Sequence, residues 1–221
     1  MREGWWANVV LFDLDGTLID SAADLGRAAN AMRLARGLFE LPLAQYRPYG
    51  GSGARGMLAQ AFGVAPGHAD YETLKVEFLD RYELLMHETT CVFDGVDSVL
   101  RGLKAVGVRW GIVTNKATRF AEPLAARLGL HAEVLVCGDS TPHVKPHPAP
   151  LLEAARRIGV NPESCLYVGD DARDIVAGRA AGMSTGVARW GYLGAEEAPE
   201  AWGADILFSE PAELLKRLRL P

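Results

Sequence analysis

Asp13 and Asp15 follow directly on an apolar run, in the stretch Val9-Val10-Leu11-Phe12-Asp13-Leu14-Asp15-Gly16-Thr17. Carboxylates placed in this way can attack phosphorus, carry a proton or hold a cation. The run ahead of them reads as a strand that is apolar on both faces, as in a buried parallel sheet. Asp13 is then at the carboxyl end of that strand, where open α/β sheets bind their ligands. A charge there is costly without a partner. A strand closed by an ordinary Asp-Gly turn is the plainer reading, but it leaves Asp13, Asp15, Gly16 and Thr17 gathered at one strand end without a purpose.

Other apolar runs end in the same manner. Gly111-Ile112-Val113 leads into Thr114-Asn115-Lys116, and Leu166-Tyr167-Val168 leads into Gly169-Asp170-Asp171 with Asp174 following; Val144-Lys145-Pro146 lies between them. Parallel strands put their carboxyl ends on one edge, so these residues are expected to converge on one crevice. Asp13, Asp15, Asp170 and Asp174 would crowd negative charge there, a conflict that a divalent cation relieves. An all-oxygen set without His or Cys points to Mg2+ rather than zinc or copper.

The rest of the constellation suits phosphoryl transfer. Asp13 is the expected nucleophile; Asp15 is the expected acid at the leaving oxygen and then the base for water. Thr114, through its hydroxyl and backbone N–H, and Lys145, through its ammonium, are expected to hold charge on the equatorial oxygens. Thr17 and Asn115 are expected to contact substrate. Asn115 equally suits a cap on the next helix, as does Asp171. Lys116 stays open between site and surface.

The elements that must position these groups are legible in outline. The 221 residues are 49% hydrophobic with a net charge of −5, an ordinary globular composition with no basic run to recruit nucleic acid or an anionic membrane. Cys91, Cys137 and Cys165 form no Cys-x-x-Cys pair, which argues against a disulfide framework or a zinc site. No apolar run reaches transmembrane length and residues 1–16 lack a small-residue cleavage site, so the cytoplasm is the expected compartment.

Val96, Val99, Leu100 and Leu103 mark one face of a helix that Gly107 stops. Strands are expected at 108–113, 134–137, 165–168, 184–188 and 205–208, with helices at 116–129, 148–158, 172–181 and 211–218. That alternation predicts an α/β fold, a Rossmann-like doubly wound parallel sheet. Residues 21–92 break the rhythm, because 21–36, 54–62 and 70–88 read as helices with no strand between them. The stretch is too long for a loop. The expected organisation is an α/β core of residues 1–20 plus 93–221, with an inserted helical cap at 21–92. Inside the insertion, Gly50, Gly51, Ser52, Gly53 and Gly56 form a flexible segment beside Arg55. Arg55 is expected to bind a carboxylate or other anionic part of the substrate, and a solvated arginine is the alternative.

With these motifs in order, the chain resembles the haloacid dehalogenase superfamily of phosphatases. The resemblance rests on Asp13-Leu14-Asp15-Gly16-Thr17, Thr114-Asn115, Lys145-Pro146 and Gly169-Asp170-Asp171-Ala172-Arg173-Asp174. It covers essentially the whole length and implies a helical cap of the C1 type. It also implies Asp13 as nucleophile and Asp15 as acid/base. The implied Mg2+ is held by the Asp13 carboxylate, the Asp15 carbonyl and Asp170, with Asp174 in support. Within the superfamily the chain is most similar to the phosphoglycolate phosphatase branch, through residues 110–116, Cys137-Gly138-Asp139, Lys145-Pro146-His147-Pro148 and Tyr192. A sister group, the N-acetylmuramic acid 6-phosphate phosphatases, is nearly as similar through residues 119–123, 169–175 and 201–205. The return from the insertion, Cys91-Val92-Phe93-Asp94-Gly95, departs from the branch, which often carries a proline there.

Rival readings differ in what they require. A dehalogenase has no need of an acid for an alkoxide, so Asp15 disfavours it. A sugar-phosphate mutase shares core and cap and would only retain its phosphoaspartate longer. A receiver-like phosphoacceptor module gathers Asp, Thr and Lys around Mg2+ but requires neither Asp15 as acid/base nor a helical cap. The expected partner is a small phosphorylated metabolite, with no nucleic acid and no membrane, and the expected state is a monomer or homodimer.

Overall fold

The computed structural model describes residues 5–194 and 198–219, so the start of the N-terminal stretch and the outer end of the expected core lie outside the described residues. In chain order the strands are β1 (Trp5–Trp6), β2 (Val9–Phe12), β3 (Ile19–Asp20), β4 (Cys91–Val92), β5 (Arg109–Val113), β6 (Leu135–Val136), β7 (Cys165–Gly169), β8 (Ser184–Ala188), β9 (Ile206–Phe208) and β10 (Leu218–Arg219). The α-helices are α1 (Ala22–Leu34), α2 (Gly53–Phe62), α3 (Tyr71–Leu85), α4 (Val96–Ala105), α5 (Thr118–Arg127), α6 (Ala149–Ile158), α7 (Ala172–Ala180) and α8 (Ala212–Arg217).

A six-stranded sheet runs in the order β6-β5-β2-β7-β8-β9, with every pairing parallel. β2 lies near its middle, and Val9, Val10, Leu11 and Phe12 are all buried, as a strand covered on both faces must be. Phe12 is level with Ile112 on one side and Val168 on the other. That register brings Asp13, Thr114 and Asp170 out at one edge. The stripe on α4 is buried as its spacing predicts, through Val96, Val99, Leu100 and Leu103. α6 closes on Gly159, whose φ of 77° is the left-handed region that glycine enters without strain.

Between β3 and β4 the described elements are α1, α2 and α3 with short 3-10 turns. These helices pack on one another through Ala28, Ala29 and Met32, Met57 and Leu58, and Phe78 and Tyr82. The apolar cluster is continuous from Phe12 and Leu18 to Met57 and Phe78, so the helices also share a buried surface with the sheet layer. No helix among the described residues is long and apolar enough to cross a membrane.

Three features depart from the sequence reading. Ile19–Asp20 and Cys91–Val92 pair as a short antiparallel ribbon where the chain leaves for the helices and returns, although no strand was expected within 21–92. β1 pairs with β10 in parallel, joining the two ends of the described chain. Two-residue strands carry no period and are formed by a partner distant in sequence, so local pattern is silent about them. Finally, α5 begins at Thr118 with Ala117 in the cap position, so Asn115 is not its cap. Asp171 does cap α7, in a capping box with Asp174.

Candidate active site

Asp13 leaves the end of β2 with its backbone N–H on Val168 O at 2.9 Å, which locks it between β5 and β7. The Lys145 ammonium reaches in beside it, 2.9 Å from Asp13 Oδ1 and 2.8 Å from Asp174 Oδ1. It also contacts Val113 O at 3.0 Å and the Tyr167 hydroxyl at 2.7 Å. Burial would lower this lysine, but the two carboxylates outweigh it and hold the ammonium charged. Asn115 fastens the lysine from behind: its Nδ2 donates to Lys145 O and its Oδ1 accepts from Lys145 N, both at 2.9 Å.

Asp13, Asp170 and Asp174 each offer an oxygen, and these atoms lie within 4.8 Å of one another. Burial pushes Asp13 up to about 6, with Lys145 opposing it and Asp174 adding to it. Burial drives Asp170 well above the ordinary carboxylate range, and the charges of Asp13 and Asp174 add to the shift. One ammonium therefore leaves the cluster short of positive charge. Three hard oxygen donors in that state fit a hard divalent cation. Asp15 is not in this cluster through its carboxylate; the carbonyl that the family resemblance assigned to the metal is a separate atom.

The cluster is built tightly. The Thr17 hydroxyl donates to Asp170 Oδ1 at 2.9 Å and the Tyr192 N–H donates to Asp170 Oδ2 at 2.9 Å. Gly16 has a φ of 85°, and a Cβ there would collide with the Asp170 carboxylate. Thr17 is fully buried behind Asp170 and does not line the cavity described below, so its hydroxyl orients a carboxylate rather than facing substrate.

Asp15 has a different set of partners. Lys116 Nζ lies 2.9 Å from each of its oxygens, and the Ser21 hydroxyl donates to Oδ1. Burial would lower Lys116, but the Asp15 carboxylate outweighs it and holds the ammonium well above the ordinary lysine range. Ser21 N in turn donates to the Tyr192 hydroxyl at 2.8 Å.

A cavity of about 310 Å³ opens over Asp13 and Asp15. Thr114, Asn115 and Lys116 line it from the sheet edge; Arg55, Phe78 and Tyr82 line it from the helices. The Thr114 backbone N–H is committed to Val136 O at 2.9 Å, so only its hydroxyl remains for a phosphoryl oxygen. That corrects the expectation that both groups would serve. Arg55 is exposed, and its side chain makes no hydrogen bond or ion pair with any described residue. Arg173 also lines the cavity; its guanidinium grips Asp171 through Nε and Nη2, each at 2.8 Å, and Nη2 donates to Gly51 O at 2.7 Å.

The haloacid dehalogenase-like hydrolase family profile matches residues 7–182, which takes in all four motifs, the helices α1–α7 and the acidic cluster. The chain belongs to the haloacid dehalogenase-like hydrolases. Among relatives of this hydrolase, a phosphoglycolate phosphatase of Xanthomonas campestris pv. campestris is 49% identical over 207 residues, covering 93% of both chains. An N-acetylmuramic acid 6-phosphate phosphatase of Pseudomonas aeruginosa is 43% identical over 208 residues, covering 93% of this chain and 92% of that one. A solved structure, a predicted phosphoglycolate phosphatase of Haemophilus somnus 129pt, superposes with a TM-score of 0.84 at 27% identity, covering 96% of this chain and 98% of the other. The hydrolase is a phosphatase of α/β fold.

Four residues of this hydrolase were open or missed in the sequence. Lys116 stands beside a motif, where its residue type alone suits either site or surface. Ser21 lies close to Asp15 in sequence but in no recognised motif, while Tyr192 and Arg173 reach Asp170 and Gly51 across long sequence separations, which no local spacing reports.

Proposed function

We propose that this phosphatase hydrolyses a small carboxylate-bearing phosphate monoester, phosphoglycolate first among them, through a phosphoaspartate on Asp13. The observation that carries this reading is the Asp13 carboxylate at the end of β2, beside the Lys145 ammonium and open to the cavity. An Asp13 oxygen attacks phosphorus, the bond to the ester oxygen breaks, and the leaving alkoxide takes a proton from Asp15. Asp15 then takes a proton from water as the water oxygen attacks the phosphoaspartate, and the Asp13–phosphorus bond breaks to release phosphate. The Thr114 hydroxyl and Lys145 stabilise the equatorial oxygens. Asp13, Asp170 and the Asp15 carbonyl would hold Mg2+, with Asp174 behind them. Bound there, Mg2+ neutralises the clustered carboxylates and withdraws charge from the phosphoryl oxygens. The helices between β3 and β4 act as a cap that selects the substrate, and Arg55, without an internal partner, binds its carboxylate.

A second reading, N-acetylmuramic acid 6-phosphate as substrate, is favoured by the size of the cavity and by the apolar wall of Leu25, Tyr71, Phe78, Leu79 and Phe120. Such a wall suits a sugar ring better than a two-carbon acid.

A panel of phosphoglycolate, N-acetylmuramic acid 6-phosphate and hexose phosphates tests both. The highest kcat/KM is expected for phosphoglycolate, and Arg55→Ala is expected to raise its KM about tenfold. A clear preference for the amino sugar would establish the second reading instead. Asp13→Asn is expected to abolish turnover of every member; activity comparable to the unmodified protein would reject the covalent route.

A further inference from the structure

Lys116 has no part in the chemistry above, yet its side chain is only 8% exposed and its ammonium spans both Asp15 oxygens. Its other side faces the insertion: the ammonium lies over the ring of Tyr82 on α3, 4.8 Å from the centroid. That ring is held by Phe78, stacked at 6.3 Å, and by Phe120, tilted at 5.3 Å. The Tyr82 hydroxyl is buried and makes no hydrogen bond of ordinary geometry with a described residue, while its ring gives the ammonium a cation–π contact. The backbone is fixed as well, since Lys116 N donates to Thr114 Oγ1 at 3.1 Å. With Ser21 on Oδ1, Asp15 is thus held from two directions. A carboxyl group gripped by two donors keeps one orientation, and proton transfer depends steeply on that orientation.

We propose that Lys116 is a positioning residue that aims the Asp15 carboxyl at the leaving-group oxygen, with the Tyr82 ring on the insertion holding the ammonium in place. The proposal rests on Asp15 as the acid of the reaction. Without the tether the carboxyl turns away from the ester oxygen. Esters whose leaving group needs a proton then slow most, and those that leave readily as anions slow least.

The test compares phenyl phosphate with p-nitrophenyl phosphate, which share shape and charge and differ in how readily the alcohol leaves. The quantity read is the ratio of their kcat/KM values, which reports the steps up to phosphoaspartate formation. Lys116→Met is expected to lower the phenyl-to-nitrophenyl ratio at least tenfold, and Lys116→Arg to restore it to within about threefold. Lys116→Gln serves as a second neutral variant, with a thermal melt confirming the fold of each. Asp15→Asn sets the ratio for complete loss of the acid, and adding Lys116→Met to it is expected to change nothing further.

An unmoved ratio, or a parallel fall for both esters, overturns the proposal. So does a loss confined to phosphoglycolate as a third substrate, which would make Lys116 a carboxylate ligand. An Asp15→Asn ratio equal to that of the unmodified protein refutes the acid itself, a failure separate from that of the tether.

Discussion

The Lys145 ammonium lies between two carboxylates of the acidic cluster, 2.9 Å from Asp13 Oδ1 and 2.8 Å from Asp174 Oδ1. It is the protein's own cation at a place that also invites a metal ion. Removing one member of a buried charged set costs about 3–5 kcal/mol, because the remaining charges lose their partner. Lys145→Met is therefore expected to lower the melting temperature sharply in metal-free buffer and to reduce kcat by about a hundredfold or more. Added Mg2+ should restore part of the stability and none of the rate. A melting temperature unchanged in metal-free buffer would contradict this.

The same cluster sets the response to metal. Chelation is expected to abolish turnover and Mg2+ to restore it, while raising the melting temperature of the unmodified protein. Asp170→Asn removes one of the three oxygen donors and should erase most of that rise. Scanning calorimetry across a Mg2+ series checks it; a full shift in the variant would place the ion elsewhere.

Asp24 is expected to contribute to acid stability. Burial would push its carboxyl up, but the Thr89 and Thr90 side chains and backbone outweigh it and hold the group below the ordinary carboxylate range. Thr89 Oγ1 donates to Asp24 Oδ1 at 2.5 Å, while the Thr90 N–H and hydroxyl donate to Oδ2 at 2.8 Å each. A lowered carboxylate contributes stability above its unfolded value of ~3.9 and loses it as pH falls through the folded value. The urea midpoint should therefore drop as pH falls below about 4. Asp24→Asn should cost about 2 kcal/mol at neutral pH and flatten that part of the curve. Curves that run parallel in the two proteins would rule Asp24 out as the cause.

Arg173 joins the site edge to the glycine-rich segment through its bond to Gly51 O, while Asp171 holds its fork. Arg173→Lys cannot reproduce a bidentate grip together with a third bond. Amide exchange in residues 47–53 is expected to quicken about tenfold, since loss of one charge-assisted bond is worth about 1.4 kcal/mol or more. Exchange rates equal to those of the unmodified protein would show that other contacts hold the segment.

Much of the site was legible because strand ends announce themselves. An apolar run halted by Asp13, another by Thr114 and a third by Gly169-Asp170 locate the candidate site's edge once the strands are taken as parallel. Lys145 was legible too, as a lone cation in a Pro-bounded loop. Thr17 was expected at the substrate and proves to serve Asp170, because both its direction and its burial are set by the turn at Gly16. The β3–β4 ribbon left no trace, since two-residue strands exist only through a partner some seventy positions away.

By itself the sequence determined the class of enzyme, a phosphatase, since residue types at successive strand ends limit which atoms could attack, donate or ligate. Only the tertiary structure decided how those atoms are held. It tied Lys116 to Asp15 and Tyr82, set Asn115 behind Lys145 rather than on α5, and closed the cavity with Arg55 and Arg173. The physical reason is range. Burial patterns and strand endings are local properties of the chain, whereas an ion pair or a hydrogen bond between distant residues depends on the packing that brings them within about 3 Å.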